Sequence, residues 1–436
     1  MSESHTHEFD QPRSGPLSGV VIVDFTRVLA GPYCTMLLGD MGATIIKVES
    51  PAGDDTRSWM PPVVDDEATY FLSVNRNKHS VVLDLADPAD QATAAELISH
   101  ADVVVENFKA GGMARFGLDY DTVSADHAGL IYASITGFGT GLGAKYAGYD
   151  LSVQAISGMM SLTGGAETEP YRVGVALFDV MTGMHTAIGI LGALHHRDET
   201  GAGQQIELNL LTSALSSLVN QSAAYAMAGV VPTRMGNQHP SLYPYEPFPA
   251  ADGDIIVAVG NDAQFRRLCT LVEVPELADD VRFQTVLGRN THRDDLRILL
   301  RRRLITESVQ HWFDELTALG VPCAPINTLG QGIDFADQIG LEPIVVAGTD
   351  ERAIRTIRHP VSYSRTPASY EVAPPLLGSA HGLVMDWLNA RRPAAPETAG
   401  TETTSTEATS TEATSTEATS TEATSTETAN VEGDAQ

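Results

Sequence analysis

The chain has 436 residues, of which 43% are hydrophobic, and it carries a formal net charge of −29. This length is enough for two domains with a sizeable core, and the negative charge disfavours nucleic acid and anionic membranes as partners. The composition therefore indicates a globular protein and excludes a basic nucleic-acid-binding protein.

Residues 1–15 are polar and predict a disordered leader. They lack the basic head and apolar stretch of a secretion signal. No later stretch shows the uninterrupted apolar run that a membrane-spanning helix needs. We therefore expect a cytoplasmic protein that has no membrane partner.

Strands and helices alternate through residues 16–225, the predicted large domain. Apolar runs predict buried strands at 19–24, 43–49, 80–84, 103–107 and 130–135. A helix predicted at 31–41 joins the first two strands, and Asp87-Pro88 supplies a cap and a first-turn proline for another helix. This alternation predicts an α/β fold with a Rossmann-like parallel sheet that is covered on both faces.

Ligands of such sheets bind beyond the carboxyl ends of the strands, which directs attention to the loops 26–32, 107–112 and 136–143. The last loop has four glycines, and residues 139–144 match a relaxed dinucleotide-binding pattern. The residues that follow it do not open a clear helix, as that pattern requires. We therefore reject a nicotinamide site in this loop.

A smaller domain of mixed α+β character is predicted at 226–332. A long helix predicted at 210–227 carries the chain away from the sheet, and an Asp252-Gly253 turn before an alternating run then indicates a β-hairpin. Residues 333–390 are predicted to return to the large domain.

The composition changes abruptly near the C-terminus, where a Thr-Glu-Ala-Thr-Ser unit repeats and no residue is large enough to build a core. Residues 391–436 therefore predict a disordered acidic tail. Without the nine acidic residues of 397–436, the rest of the chain still carries −20. Neither a disulfide framework nor a metal site is predicted from the three cysteines, which are Cys34, Cys269 and Cys323.

An acidic protein that binds an anionic ligand is expected to gather its few cations at that site. An ordinary solvated surface is the alternative origin of such cations. The candidates in this chain are Arg57, Arg76, Lys78, Lys109 and Arg115.

Asp179 lies in the apolar stretch 174–185 and precedes apolar residues at helical spacing. This pattern predicts a helix at 179–195 with the carboxyl at or near its N-terminus, and a separate helix is predicted at 150–160. Free backbone N–H groups and the helix dipole should keep Asp179 charged, and loss of water to apolar neighbours would make it a usable nucleophile. The residue pattern alone favours a simpler role as a helix cap.

Five motifs occur in a fixed order: DFTRVLAGP (24–32), GATIIKVE (42–49), VENF (105–108), GYD (148–150) and FDVMTGMH (178–185). Together they resemble the class III CoA-transferases, the formyl-CoA transferase-like family that also contains α-methylacyl-CoA racemase. The resemblance extends from about residue 17 to residue 388. It implies an interlocked homodimer, in which the site lies between the large domain of one subunit and the small domain of the other.

The resemblance places Asp179 at the position of the family's nucleophile. In these transferases the carboxylate attacks an acyl-CoA thioester and forms a mixed anhydride, and an aspartyl-CoA thioester follows. A free carboxylic acid completes the exchange through a second anhydride. The implied partners are thus an acyl-CoA, a carboxylic acid and a second copy of the chain. No metal or organic cofactor is implied, because the coenzyme A thioester is a substrate.

The resemblance also implies where CoA binds. Lys78 and Arg115 are expected to meet its phosphates, and Phe108 is expected to stack on adenine. The residues placed along the nucleotide and pantetheine are Val28, Leu29, Ala30, Lys78, Asn107, Phe108, Arg115 and Tyr149.

Some positions depart from formyl-CoA transferase. Leu29 replaces a glutamine and Ser50 replaces an arginine, so the substrate contacts of that enzyme do not transfer. Gly260 and Asn261 correspond to the loop that covers its site, in a less glycine-rich version. Residues 237–245 instead resemble the branch that moves CoA from succinyl-CoA to other dicarboxylates.

Two other functions stay open. The racemase branch pairs the acid with a histidine, because moving a proton between the two faces of an α-carbon needs two acid/base groups. Tyr149 stands at that position, and a phenol with a pKa of about 10 is a poor proton acceptor at neutral pH. This disfavours a 2-methylacyl-CoA racemase, and His185 is expected to be structural. The intact Asp179 motif disfavours the third hypothesis, a non-catalytic CoA-binding protein.

Overall fold

The structure is a computed structural model that describes Phe9, residues 13–349 and residues 351–392. Its strands are β1 (Val21–Asp24), β2 (Thr44–Glu49), β3 (Val63–Val64), β4 (Glu67–Ala68), β5 (Lys78–Val82), β6 (Val103–Glu106), β7 (Ile131–Thr136), β8 (Gln205–Asn209), β9 (Tyr245–Pro249), β10 (Asp254–Ala258), β11 (Cys323–Pro325), β12 (Ile344–Ala347) and β13 (Ile354–Ile357).

The α-helices of these residues are α1 (Ala30–Asp40), α2 (Thr69–Ser73), α3 (Pro88–Ser99), α4 (Tyr120–Val123), α5 (Asp150–Ile156), α6 (Met159–Leu162), α7 (Leu177–Thr200), α8 (Leu210–Ser217), α9 (Val219–Ala228), α10 (Asp262–Leu271), α11 (Val286–Thr291), α12 (Arg293–Leu304), α13 (Val309–Ala318), α14 (Leu329–Gln338) and α15 (His381–Asn389). The described residues as far as Arg391 form one unit. The repeats of the predicted tail lie outside the described residues.

Six strands form one parallel sheet in the order β5-β2-β1-β6-β7-β8. Five of them are almost wholly buried, because α1, α7 and α8 cover one face while α3 and α15 cover the other. Burial on both faces explains why these strands read as continuous apolar runs instead of alternating ones. The predicted α/β fold class is confirmed.

The strand order reverses between β1 and β6, the two central strands. From β1 the sheet continues through β2 to β5, and from β6 it continues in the other direction through β7 to β8. Loops that leave the carboxyl ends of β1 and β6 therefore diverge, and they leave a crevice at this edge of the sheet.

Helix α7 is the longest helix of the described residues and packs in the core against α1. Gly183 permits this close approach, because a Cβ at that position would lie 2.5 Å from the carbonyl oxygen of Ala30. The helix begins two residues before the predicted start and ends at Gly201, where φ is 75°. By length and composition α7 could cross a membrane. This corrects the expectation that no stretch could, although its packing is that of a core helix.

Two helices that were predicted as continuous are interrupted. The segment 150–160 forms α5 and α6, which are separated at Gly158 with a φ of 90°. The segment 210–227 forms α8 and α9, which meet where Val219 has a φ of 39°. The predictions were wrong here because an apolar run does not reveal a single residue that leaves the helical conformation.

The second sheet is antiparallel, in the order β11-β10-β9, and the predicted Asp252-Gly253 turn joins β9 to β10. Helices α10, α12 and α13 pack around it. Further along the chain, Trp387 of α15 lies in the same core cluster as Val104 of the parallel sheet. Phe9, which falls within the predicted leader, is buried with its ring edge-on to Trp387. The predicted domain boundaries stay predictions.

Candidate active site

A cavity opens at the carboxyl edge of the parallel sheet, beside the reversal of strand order. The loops that follow β1, β6 and β7 line it, and these are the three loops singled out in the sequence. The start of α7 closes one side. Seven of the predicted site residues lie together in the lining, namely Asp179, Val28, Leu29, Ala30, Asn107, Phe108 and Tyr149.

Asp179 is the third residue of α7, and its side chain is half-buried. The cap position of this helix is Ala176, which has no side-chain hydrogen bond to the helix, so Asp179 is not the helix cap. Asp150 of α5, which is distant in the chain, caps the start of α7 instead. Its Oδ1 accepts hydrogen bonds from the backbone N–H of Phe178 at 2.8 Å and of Asp179 at 3.3 Å.

The pKa of Asp179 is raised from its ordinary value of 3.8 to about 7. Burial, which disfavours the charged carboxylate, is the larger cause, and the negative charge of Asp150 is the second. This corrects the expectation that Asp179 stays fully charged. That expectation assumed free N–H groups at the helix N-terminus, whereas two of these groups donate to Asp150. At neutral pH the carboxyl of Asp179 is therefore ionised only in part.

Two tyrosines lie near the start of α7. The pKa of Tyr70 is raised to about 12 by burial and by the negative charges of Asp179 and Asp150. Tyr70 was missed in the sequence, where it stands in an apolar run and resembles an ordinary core residue. Tyr149 lines the cavity and is 65% exposed, so its phenol is accessible to a ligand.

Val28 forms part of the cavity wall in a strained conformation. Its φ is 70°, which a β-branched residue rarely adopts. Its N–H donates to Asp54 at 3.2 Å, and Asp54 in turn pairs with Lys47 at 3.0 Å, both side chains being 0% exposed. Lys47 also donates to the carbonyl of Thr26 at 2.8 Å. A buried ion pair thus supports a strained loop, and such strain is typical of binding sites.

Asn107 joins the loop after β6 to the loop after β1. Its side-chain oxygen accepts from the backbone N–H of Arg27 at 3.1 Å, and its side-chain nitrogen donates to the carbonyl of Arg27 at 2.8 Å. The amide therefore bridges the two loops that diverge at the reversal of strand order. In this arrangement Asn107 shapes the crevice, a role that the sequence motif alone does not reveal.

Lys78 does not reach the cavity. Its side chain is 0% exposed, and its ammonium donates to Asp24 at 3.2 Å, to the carbonyl of Pro32 at 2.9 Å and to Asn75 at 3.0 Å. These three acceptors use all three ammonium protons. The expectation that Lys78 meets CoA phosphates is corrected for this reason. Burial lowers the pKa of Lys78 to about 8, against the opposing effect of Asp24.

Two other candidate cations are also occupied inside the fold. Arg57 pairs with Glu49 at 2.7 Å, and Arg76 pairs with the fully buried Asp40 at 2.6 Å. These two arginines therefore serve internal ion pairs and do not gather around an anionic ligand. Sequence alone could not separate the two cases, because both place basic residues near strand ends.

The cations that line the cavity are Lys109 and Arg27, and the second was not among the candidates. Arg27 also forms an exposed ion pair with Asp55 at 3.2 Å. Arg115 lies outside the lining, with its guanidinium 5.8 Å from the ring of Phe116. Within a single chain, Arg115 therefore does not reach a phosphate bound in this cavity.

Gly260 and Asn261 lie between β10 and α10, and neither residue lines this cavity. Asn261 caps α10 by accepting from the N–H of Gln264 at 2.9 Å, and the N–H of Gly260 donates to the side chain of Gln264 at 2.8 Å. One chain does not bring these residues to Asp179. Their predicted role depends on a second subunit.

The lining combines groups that suit a particular chemistry. Asp179 offers a carboxyl that is ionised in part at neutral pH, and the walls around it present aliphatic, aromatic and amide groups. Lys109 and Arg27 add positive charge for an anionic ligand. Within residues 13–349 and 351–392, no cluster of three or more His, Cys, Asp or Glu side chains could hold a metal ion. The cavity therefore suits nucleophilic attack by a carboxylate on an extended, anionic substrate.

Known proteins resemble this chain over most of its length. The sequence profile of CoA-transferase family III matches residues 17–381. Succinate–glutarate CoA-transferase of Agrobacterium fabrum is 41% identical over 400 residues, which cover 89% of this chain and 100% of that protein. Succinyl-CoA:mesaconate CoA-transferase of Haloarcula hispanica is 39% identical, over 85% of this chain and 96% of that protein.

A solved structure shares the fold. The crystal structure of a CAIB/BAIF family protein from Brucella suis superimposes with a TM-score of 0.76 at 39% sequence identity. The match covers 86% of this chain and 100% of that one. The chain therefore shares the fold of that family.

Proposed function

The chain belongs to CoA-transferase family III, and we propose that Asp179 is the nucleophile with which it moves CoA from an acyl-CoA to a free carboxylic acid. One observation carries the proposal. The carboxyl of Asp179 faces the cavity at the reversal of strand order, and its pKa of about 7 lets a reactive carboxylate form at neutral pH.

The proposed reaction proceeds by acyl exchange on this carboxyl. An ionised oxygen of Asp179 attacks the thioester carbon, a C–O bond forms, the C–S bond breaks and CoA leaves as a thiolate. The thiolate then attacks the Asp179 carbonyl carbon and expels the donor acid, which leaves an aspartyl-CoA thioester. The acceptor carboxylate attacks the carbonyl carbon of this thioester, which releases the CoA thiolate and forms a second mixed anhydride. The thiolate then attacks the acceptor's carbonyl carbon and expels the Asp179 carboxylate. Asp179 is regenerated, and no electrons are transferred to a cofactor.

The cavity walls support the binding of CoA. Phe108 presents an aromatic ring in the lining, and Lys109 and Arg27 provide positive charge that complements phosphates. Leu29 and Ala30 provide an apolar wall beside the pantetheine path. We place the CoA thiol end near Asp179, because attack requires the thioester carbon within about 3–3.5 Å of the carboxylate oxygen.

We further propose succinyl-CoA as the donor and a dicarboxylic acid as the acceptor. The names of the two relatives support this, since one is a succinate–glutarate CoA-transferase and the other is a succinyl-CoA:mesaconate CoA-transferase. The resemblance of residues 237–245 to the succinyl-CoA branch agrees with those names.

A homodimer is the proposed working form. Apolar side chains are exposed together on and just after α9, with Val219 69%, Tyr225 64%, Met227 88% and Val231 70% exposed. An apolar surface of this kind is typical of a protein–protein interface. A second copy of the chain is the proposed occupant, and its Gly260 and Asn261 would then complete the site. Light scattering of the purified protein tests this, because a monomer at micromolar concentration would contradict it.

A reducing, cytoplasmic setting is proposed for the dimer. Cys34 and Cys269 are buried free thiols, and Cys323 is a partly exposed one. A cytoplasm that keeps thiols reduced is compatible with this state.

The decisive experiment compares Asp179→Asn with Asp198→Asn, the same substitution at an exposed position of the same helix. Succinyl-CoA is incubated with a panel of carboxylic acids, and new acyl-CoA species are followed by mass spectrometry. We expect exchange to fall by at least about 10³-fold in Asp179→Asn, as expected when a covalent nucleophile is lost, and to stay at the wild-type level in Asp198→Asn.

Each alternative function has its own signature in this assay. Full exchange in Asp179→Asn would refute the proposed nucleophile. Solvent deuterium entering the α-carbon of a 2-methylacyl-CoA without an acceptor acid would indicate a racemase. Thermal stabilisation by CoA without any thioester turnover would indicate a binding protein.

A further inference from the structure

A buried pair of side chains on α5 holds the segment that leads into α7. Asp150 accepts from the N–H groups of Phe178 and Asp179, at 2.8 and 3.3 Å, through one oxygen. Its other oxygen accepts from the side-chain nitrogen of Gln154 at 2.5 Å. Gln154 is 0% exposed and also accepts from the N–H of Val173 at 2.8 Å. The pair therefore ties the start of α7 to the start of α5.

Asp150 has the hydrogen-bonding pattern of an ionised carboxylate. Both of its oxygens accept from N–H donors. In these hydrogen bonds the carboxyl never acts as a donor. The side chain is only 8% exposed, so water screens its charge little. A second negative charge thus stands beside the carboxyl of Asp179, within the same low-dielectric region.

Other titratable groups surround Asp179, but they do not neutralise this charge. Burial raises the pKa of the phenols of Tyr70 on α2 and Tyr33 on α1, so both are neutral at pH 7, and the exposed Tyr149 lies just before α5. The charged groups Arg27, Asp55 and Lys109 line the wider cavity, and His185 lies further along α7. The shift at Asp179 is attributed to burial first and to Asp150 second, with no cation contributing.

We propose that Asp150 is a positioning residue that anchors the N-terminus of α7 and drives acylation of Asp179 by placing a fixed negative charge beside it. This inference rests on the proposed function of Asp179. It assigns a role to the last residue of the GYD motif, whose tyrosine faces the cavity and whose acid faces the helix.

The effect follows from where negative charge sits before and after the first step. Before attack, Asp179 and Asp150 are both carboxylates in a region of low dielectric, and they repel each other. In the mixed anhydride and in the aspartyl-CoA thioester, Asp179 is neutral, and the negative charge has moved to the CoA thiolate or to the released acid. The fixed charge of Asp150 therefore raises the free energy of the unacylated carboxylate and leaves the acylated forms unaffected.

The test compares two variants of similar size. Asp150→Asn removes the charge but keeps an oxygen that can accept from the N–H groups of α7. Gln154→Met keeps the charge but removes the side-chain hydrogen bonds to Asp150 and Val173. The readouts are kcat/KM against pH with succinyl-CoA and glutarate, the fraction of Asp179 found acylated after acid quench and mass spectrometry, and the Tm.

In the wild type we expect the acid limb of kcat/KM near pH 7, in keeping with the pKa of about 7 of Asp179. In Asp150→Asn we expect this limb to move down by about 1 pH unit and the acylated fraction at pH 8.5 to fall by about tenfold. In Gln154→Met the Tm should fall while the acid limb stays in place. This difference separates an effect of charge from an effect of loosened structure.

The two proposals fail in different ways. Absence of any acylated Asp179 in the wild type would overturn the proposed function itself. If the wild type is acylated but the acid limb does not move in Asp150→Asn, only the role of Asp150 is overturned. An equal shift of the acid limb in Asp150→Asn and Gln154→Met would have the same consequence. If Asp150→Asn does not fold, the wild-type profile still decides, because an acid limb near pH 4 would contradict a charged neighbour.

Discussion

The backbone N–H of Val28 donates to the carboxylate of Asp54 at 3.2 Å, and this contact connects a strained residue of the cavity wall to a buried ion pair. Val28 has a φ of 70°. Asp54 and Lys47 form the ion pair, and the side chain of each is 0% exposed. The loop after β1 thus keeps its shape because its strain is offset by a charge-assisted hydrogen bond to Asp54, which is itself paired with Lys47.

We predict that Asp54→Asn destabilises the fold severely, by roughly 3–5 kcal/mol, because it leaves the buried ammonium of Lys47 without its partner. The neighbouring substitution Asp55→Asn is the control, since Asp55 forms only an exposed ion pair with Arg27 and should change stability by about 0–1 kcal/mol. Urea denaturation of both variants measures the free energy of unfolding. Similar losses in the two variants would mean that the buried pair does not support the loop.

A second prediction concerns the crossing of α1 and α7. In Gly183→Ala the new methyl would stand 2.5 Å from the carbonyl oxygen of Ala30, so the helices must move apart. We expect a loss of roughly 1–3 kcal/mol, together with lower exchange activity because Ala30 lines the cavity.

Gly192→Ala on the same helix is the matched control. A Cβ at Gly192 meets nothing within 4 Å, so the substitution should stabilise α7 by about 0.5–1 kcal/mol. Thermal unfolding of the two variants should therefore shift in opposite directions. A shift in the same direction would argue against a close crossing at Gly183.

The pH dependence of stability offers a third prediction. The pKa of Asp179 is about 7 in the folded protein and has an ordinary value of 3.8, so between these values the folded state binds more protons than the unfolded state. The contribution of Asp179 to the free energy of unfolding must therefore fall as pH rises through this window. Replacing the carboxyl with an amide, in Asp179→Asn, removes this loss.

We expect Asp179→Asn to be more stable than the wild type at pH 8.5, on the order of 2 kcal/mol after allowance for partial exposure, and the difference to shrink towards pH 5. Guanidinium denaturation at both pH values measures this, with Asp198→Asn as the exposed control. An inactive variant that gains no stability at high pH would show that Asp179 is not held in an unfavourable charged state.

The charge of the whole chain leads to a fourth prediction. With a net charge of −29, repulsion among acidic groups opposes the compact state. Raising NaCl from 0.1 M to 1 M shortens the Debye length from about 10 Å to about 3 Å and should raise the Tm by roughly 2 °C or more.

A chain that ends after Arg392 separates the tail from the rest. It keeps a charge of −20, so most of the salt effect should persist in it. Circular dichroism melts of both chains in NaCl and in KCl test this. A salt effect that disappears with the tail would place the repulsion in the repeats instead.

Much of the site could be anticipated from sequence because its parts are local. Continuous apolar runs indicated strands buried on both faces, and alternation with helices indicated a parallel sheet. A parallel sheet of this kind binds its ligands at one edge, so the loops after β1, β6 and β7 could be named before their contacts were known. The motif around Asp179 then singled out one acid among the many in this chain, and that acid lines the cavity.

The partners of charged groups could not be anticipated in the same way. Lys78 was expected to meet phosphates because of the family resemblance, but its three acceptors come from Asp24, Pro32 and Asn75, two of which are distant in the chain. Whether a cation faces a cavity or a buried carboxylate depends on packing between elements. No periodicity along one segment contains that information.

By itself, the sequence determined the class of fold, the loops at the edge of the sheet where the cavity opens and the place of an acid near the start of α7, because short-range patterning and local motifs encode all three. Only the tertiary structure decided the ionisation of that acid. The N–H groups expected to stabilise the charge of Asp179 are taken by Asp150, a residue 29 positions earlier. A pKa depends on which charges and dipoles meet in space, and folding alone brings these two carboxyls together.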